Sequence, residues 1–350
     1  MTGGTFRSNS PTPLRIRAHR PGSVFAPSLL YRALHSSSPC RLAVLGTSGA
    51  AVNRSYRKGI ARLVRCALGA GLVAGLLAGA PAATAAESAT GEVYVALGDS
   101  MPSGPLIPLP TGPLACGRST QNYPHELAER LDVAEFRDVT CSGAKTDHMA
   151  QPQRLSLLDQ DMGEAPPQFD ALSADTTLVT LTIGGNDAGL VGIAQDCMQL
   201  NPTAEPCKTG HTEGGVDRVA ERVDSAAPKV AAVLDGIRAK APDARVIVAG
   251  YGLYIKPGGC WPVQPVLGVD ADYLQGAVDR LNGILAEQAA AHDAEYVDLR
   301  TPSAGHDACQ APSRRWIEGY VPTSPAAPLH PNAAGEAAYA RLIGDHITGA

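Results

Sequence analysis

The chain has 350 residues and a formal net charge of −5, but that charge is unevenly spread. Of its 29 Lys and Arg residues, 11 fall in residues 1–86, where there is no Asp or Glu, so the remainder carries 18 basic against 34 acidic residues. An acidic body argues against an anionic polymer as partner, so no nucleic acid is expected, and the basic front reads as a targeting segment.

Residues 1–52 are rich in Ser, Pro and Arg without periodicity. They read as a disordered leader or as the product of a start codon assigned too early, with Val52 as the alternative start. Residues 53–86 read as a signal peptide. Arg54, Arg57, Lys58, Arg62 and Arg65 form its positive part, and "CALGAGLVAGLLAGA" (66–80) is too short and Gly-rich for a good membrane span. The small residues of "PAATAAES" place cleavage near Ala85 or Ala86. The expectation is a secreted protein with no stable membrane anchor after cleavage. Residues 87–350 are enough for one domain with a full core.

Five apolar stretches follow in that domain: "VYVAL" (93–97), "FRDVT" (136–140), "LVTLTI" (178–183), "RVIVAG" (245–250) and "EYVDL" (295–299). The third and fourth are nearly continuous and β-branched, as strands buried on both faces should be. Helical patterns occupy 123–131, 216–241, 272–292 and 332–347, with Pro228 expected to kink or divide the second. The alternation predicts an α/β fold: three layers, α/β/α, around a central, mainly parallel five-stranded sheet of the flavodoxin-like kind.

Six cysteines lie beyond the signal region: Cys116, Cys141, Cys197, Cys207, Cys260 and Cys309. An even number in an exported chain argues for three disulfides, among 15 possible connectivities. Sequential pairing (116 with 141, 197 with 207, 260 with 309) is expected, since each pair would staple one loop region. No C-x-x-C spacing and no cluster of His and Asp suggests a metal, so neither a metal nor a cofactor is expected.

In a parallel sheet the ligand crevice lies beyond the carboxyl ends of the strands. The first three strands deliver Gly98-Asp99-Ser100, Cys141-Ser142-Gly143 and Gly184-Gly185-Asn186-Asp187 to that edge. A serine there is a nucleophile only if a base takes its proton and donors meet the resulting oxyanion. Ser100 is the candidate nucleophile. Its own N–H, the N–H of Gly143 and the amide of Asn186 are the candidate donors. His330, in the Pro-rich loop before the last helix, is the candidate base, with His148 and His306 ranked second. Asn332 is expected to cap that helix. Asp99 and Asp187 are expected to bond loop groups rather than perform chemistry.

These blocks resemble the GDSL-type lipase/esterase family, also called SGNH hydrolases. Gly98-Asp99-Ser100 stands as its nucleophile block, Gly143 as its oxyanion glycine, "IGGNDAG" (183–189) as its Gly-x-Asn-Asp block and His330 as its C-terminal histidine. The match spans roughly residues 92–347. The six cysteines and the signal peptide resemble in particular the secreted Gram-positive esterases and lipases of the family. The resemblance implies a serine esterase or lipase acting through an acyl-serine intermediate on a small-molecule or lipid ester, expected as a monomer. Two positions depart from the family pattern. Met101 replaces Leu in the first block. Ala327 stands where the family usually places an Asp three residues before the histidine, and no carboxylate lies between Glu318 and Glu336. Either the main-chain carbonyl of Ala327 orients His330, the favoured reading, or a carboxylate such as Asp307 reaches in from another loop.

The Pro-rich loop 101–117 and the loop 251–268, with Tyr251, Tyr254 and Trp261, offer apolar walls for an acyl chain. A polysaccharide acetyl or feruloyl esterase, a phospholipase, and a non-catalytic secreted binding protein are the competing readings.

Overall fold

The computed structural model describes residues 90–350; the leader, signal-peptide and cleavage expectations lie outside the described residues. The first strand, β1 (Thr90–Gly98), runs into the one-turn helix α1 (Ser100–Ser103). After α2 (Tyr123–Leu131) and β2 (Val133–Asp138) comes a small hairpin, β3 (Gln153–Leu157) and β4 (Gln160–Ala165). β5 (Leu178–Thr182) leads into α3 (Gly185–Ala188), α4 (Leu190–Asp196) and α5 (Cys207–His211). α6 (Arg218–Asp224) and α7 (Ala227–Lys240) precede β6 (Arg245–Ala249). The long α8 (Gly268–Ala291), β7 (Glu295–Val297) and α9 (Ala333–Thr348) complete the order.

The sheet order is β2-β1-β5-β6-β7 and every pairing is parallel. All five residues of β5 are buried, so helices cover both faces, as a parallel sheet requires. The helices pair as α2 with α9 and α7 with α8. The strand order reverses direction between β1 and β5. That reversal opens the crevice where such sheets bind ligands, and here it lies between the ends of the first and third predicted strands.

Two details differ from the sequence reading, and the helical pattern 216–241 divides as expected. The second strand is Val133–Asp138 rather than 136–140, because the Asp138 carboxylate accepts from Thr140 N and turns the chain. The helical pattern 216–241 is two helices, with Pro228 in the first turn of α7. A proline fits there because that N–H has no helical acceptor. The β3–β4 hairpin was not expected. Its connection is Leu158-Asp159, both at positive φ (49° and 61°), a turn that usually announces itself with Asn-Gly or Asp-Gly.

The three disulfides join Cys116 to Cys141, Cys197 to Cys207 and Cys260 to Cys309. That is the sequential pairing.

Candidate active site

The serine turn is built by its neighbour. Asp99 is 1% exposed and caps α1, its Oδ1 accepting from Met101 N at 2.9 Å. Asp99 N donates to Thr182 O at 3.0 Å, which ties the turn to the end of β5. Met101 is buried beneath the turn. Ser100 is left partly exposed at the first helical position. There its own N–H has no acceptor among the described residues.

His330 reaches Ser100 across 230 residues of chain, with Nε2 2.7 Å from Oγ. Its Nδ1 lies 2.8 Å from a main-chain carbonyl. A carbonyl only accepts, so Nδ1 carries the proton and Nε2 is the lone pair facing the serine hydroxyl. That carbonyl belongs to Pro328, not Ala327. Ala327 O instead accepts the main-chain N–H of His330 at 3.2 Å, while Leu329 sits at φ 62° and turns the ring back over Pro328. Burial lowers the imidazole pKa from its ordinary 6.5, and the Pro328 contact opposes this. The ring therefore stays a neutral base into weakly acidic solution.

The loop carrying His330 is held on both sides. Glu318 N donates to His330 O at 2.9 Å, and Asn332 N donates to Trp316 O at 2.9 Å. The buried Glu318 carboxylate accepts from Asn332 Nδ2 (2.7 Å), Thr323 N (2.7 Å) and Thr323 Oγ1 (3.0 Å). Asn332 Oδ1 caps α9 through Gly335 N. Glu318 is the nearest carboxylate before the histidine in sequence, yet it bonds the loop and not the ring.

Asp307 does not complete a triad. It is 1% exposed, and its oxygens accept from Cys309 N and Gln310 Nε2, each at 2.9 Å. Asp307→Asn is therefore expected to leave kcat within about threefold of wild type in a steady-state ester assay, against the loss of about 10⁴ that follows loss of a true triad carboxylate.

The turn bearing Gly143 is pinned by the 116–141 disulfide, by Ser142 N donating to Cys116 O (2.9 Å) and by Gln153 Nε2 donating to Ser142 O (2.8 Å). Gly143 has φ 77°, the left-handed region that glycine occupies without strain. Its N–H has no acceptor among the described residues. Asn186 Nδ2 donates to Ala144 O at 2.9 Å, leaving its second amide proton free. Asp187 accepts from Thr146 N and Oγ1 and from Lys229 Nζ, a loop anchor as expected.

Ser100, Asn186 and His330 open onto one cavity. Gly143 is near, through Ala144 and Asn186, but does not itself line it. Leu190, Val191, Ile255, Val266, Leu274 and Val278 form apolar walls. The polar lining side chains Gln264 and Gln275 are engaged by main-chain groups and, for Gln275 Nε2, by Asp279. Of the expected wall residues, Tyr251 and Tyr254 contribute and Trp261 does not; of loop 101–117 only Met101 does. Tyr320, which sequence reasoning missed, extends from the histidine loop to donate to Ala194 O at 2.7 Å. His148 accepts from Lys145 N, and His306 stacks on Trp316, so neither serves the serine. The cluster of Cys197, Cys207 and His211 has metal-ligand spacing, but its two sulfurs are joined in a disulfide. Among the described residues no helix is long and apolar enough to cross a membrane.

A parallel-sheet α/β fold with a serine, a histidine and free N–H donors at the strand-order reversal defines a hydrolase of the acyl-transfer type. Comparison with known proteins narrows this. The pattern of the GDSL-like lipase/acylhydrolase family matches residues 96–338, and the chain belongs to that family. It is similar to lipase 2 of Streptomyces coelicolor, with 37% identity over 253 residues that cover 69% of this chain and 81% of the relative. Among solved structures it resembles phospholipase A1 of Streptomyces albidoflavus NA297 (30% identity, TM-score 0.60, covering 73% of this chain and 99% of that one). It also resembles the extracellular lipase of Streptomyces rimosus (27% identity, TM-score 0.57, with 73% and 99% covered). The protein is a carboxylic ester hydrolase of the GDSL esterase/lipase type.

Proposed function

We propose that this chain is a secreted lipid esterase that cleaves carboxylic esters through an acyl-Ser100 intermediate. The 2.7 Å contact between His330 Nε2 and Ser100 Oγ, at the mouth of an apolar cavity, carries the reading. His330 takes the hydroxyl proton as Oγ attacks the ester carbonyl, and the carbonyl oxygen becomes an oxyanion. The N–H groups of Ser100 and Gly143 and the free amide proton of Asn186 receive that charge. His330 then protonates the departing alkoxide, and the alcohol leaves. A water attacks the acyl-serine, giving its proton to the same imidazole, and the acid is released with the serine restored. The Pro328 carbonyl holds the imidazole in the tautomer this requires. Being neutral, it stabilises the imidazolium less than a carboxylate would.

The apolar walls support an acyl chain of several carbons over an acetyl group. In a panel of aryl esters of graded chain length, kcat/KM is expected to rise from acetyl to medium-chain esters, each buried methylene adding up to about 0.8 kcal/mol. A maximum at acetyl rejects the lipid reading and favours a polysaccharide deacetylase. The likeness to a phospholipase A1 supports phospholipid esters as the second substrate class, tested on the same protein. Secretion rests on residues 53–86 and is tested by the N-terminus of protein recovered from culture medium.

A further inference from the structure

We propose that Tyr251 is a positioning residue whose hydroxyl locks the serine turn and the asparagine loop into one frame. The proposal rests on Ser100 as nucleophile and Asn186 as oxyanion donor. These two groups follow different strands, β1 and β5, at the point where the sheet order reverses and the chain ends diverge. One phenol, placed just after β6, reaches both. Tyr251 Oη donates to Asp99 Oδ2 at 2.5 Å and accepts from Gly185 N at 3.0 Å. The other oxygen of Asp99 caps the helix that begins with Ser100. Gly185 immediately precedes Asn186.

The post itself is rigid. Tyr251 is 4% exposed, and its main chain is gripped by the Asn282 amide of α8, which accepts from Tyr251 N (2.8 Å) and donates to Tyr251 O (2.9 Å). The fit also explains the second glycine of "IGGN". A Cβ at Gly185 would lie 3.0 Å from Tyr251 Oη and push the phenol away. Burial holds the phenol well above its ordinary pKa, so it remains a donor. Burial raises the Asp99 carboxyl to about 7, against the bonds from Tyr251 and Met101 N; Asp187 is the other titratable group that acts on it.

Tyr251→Phe keeps the ring and removes both hydrogen bonds. In steady-state hydrolysis of one chromogenic ester, kcat is expected to fall about 10- to 100-fold, the usual result of misplacing reacting groups by a fraction of an ångström, with KM within about threefold. Asp99→Asn removes the carboxylate oxygen that accepts the Tyr251 hydroxyl proton and so perturbs the same bridge. The double variant is expected to be no slower than the slower single variant by more than about twofold, because coupled residues are non-additive. Losses that multiply, or a Tyr251→Phe kcat equal to wild type, overturn the proposal. If Tyr251→Phe does not fold, Gly185→Ala serves instead: a lowered kcat at constant KM supports the bridge, and a wild-type kcat overturns it. Failure of the esterase reading looks different, since the wild type would then hydrolyse no ester or Ser100→Ala would keep the wild-type rate.

Discussion

Ser100→Ala is expected to lower kcat on any ester substrate by about 10⁴-fold or more while leaving KM within a few-fold, because the walls that hold the acyl chain are untouched. The reason is the single short contact between Ser100 Oγ and His330 Nε2. Without the hydroxyl there is no acyl-enzyme, and only the oxyanion donors and binding remain. His330→Ala is expected to cost a similar factor, since a neutral serine hydroxyl is a weak nucleophile. The double variant should be no slower than either single one, because the two groups act as a unit. Stopped assays with a medium-chain aryl ester, run beside thermal unfolding of each variant, check all three. Losses that multiply would mean that the pair does not share one step.

Asn186→Ala carries the second largest effect, a fall in kcat of about 10²- to 10³-fold, the range for removing one oxyanion donor. Asn186 Nδ2 is held by Ala144 O, so the amide is fixed in place before any charge develops. The interaction is worth most in the transition state, so kcat should fall far more than KM rises. The same anchor gives the substitution a structural side. The turn around Gly143 loses one of its ties to α3, although Asp187, the 116–141 disulfide and the Gln153 bond still pin it. Asn186→Asp keeps the size but removes the donor and adds charge, and should be at least as slow. A kcat near wild type in either variant would assign the oxyanion to main-chain N–H groups alone.

Much of this site was legible in the sequence because its parts are side chains at strand ends. Ser100 and Asn186 each stand within a few residues of a recognisable β-branched run, and parallel strands deliver their carboxyl ends to one edge. His330 was legible from its place before a cappable helix start, and Asn332 does cap α9. What was not legible is main-chain or long-range. The acceptor for His330 Nδ1 is a peptide carbonyl, which leaves no residue-type signature. That the carbonyl is that of Pro328 and not Ala327 goes with a positive φ at Leu329 that no composition announces. The β3–β4 hairpin hides because its turn residues, Leu158 and Asp159, are poor advertisers of positive φ. Tyr251 read as a substrate wall. Its bond to Asp99 spans 152 residues, and only the register of β1, β5 and β6 brings the two together.

The site also shows how the fold accommodates the missing acid. Where the family usually offers a carboxylate, Pro328 offers a peptide dipole, and the nearby carboxylate, Glu318, is committed to the loop by Asn332 and Thr323. The His330 ring thus meets a main-chain carbonyl, while its loop is tied to a buried acid.

Covalent labelling by a fluorophosphonate, followed by peptide mapping, tests the central claim most directly. One adduct per chain on Ser100 is expected in the folded protein, lost in Ser100→Ala and strongly slowed in His330→Ala. Folded wild-type protein that takes no label, or that is labelled at a different serine while still hydrolysing esters, would contradict it.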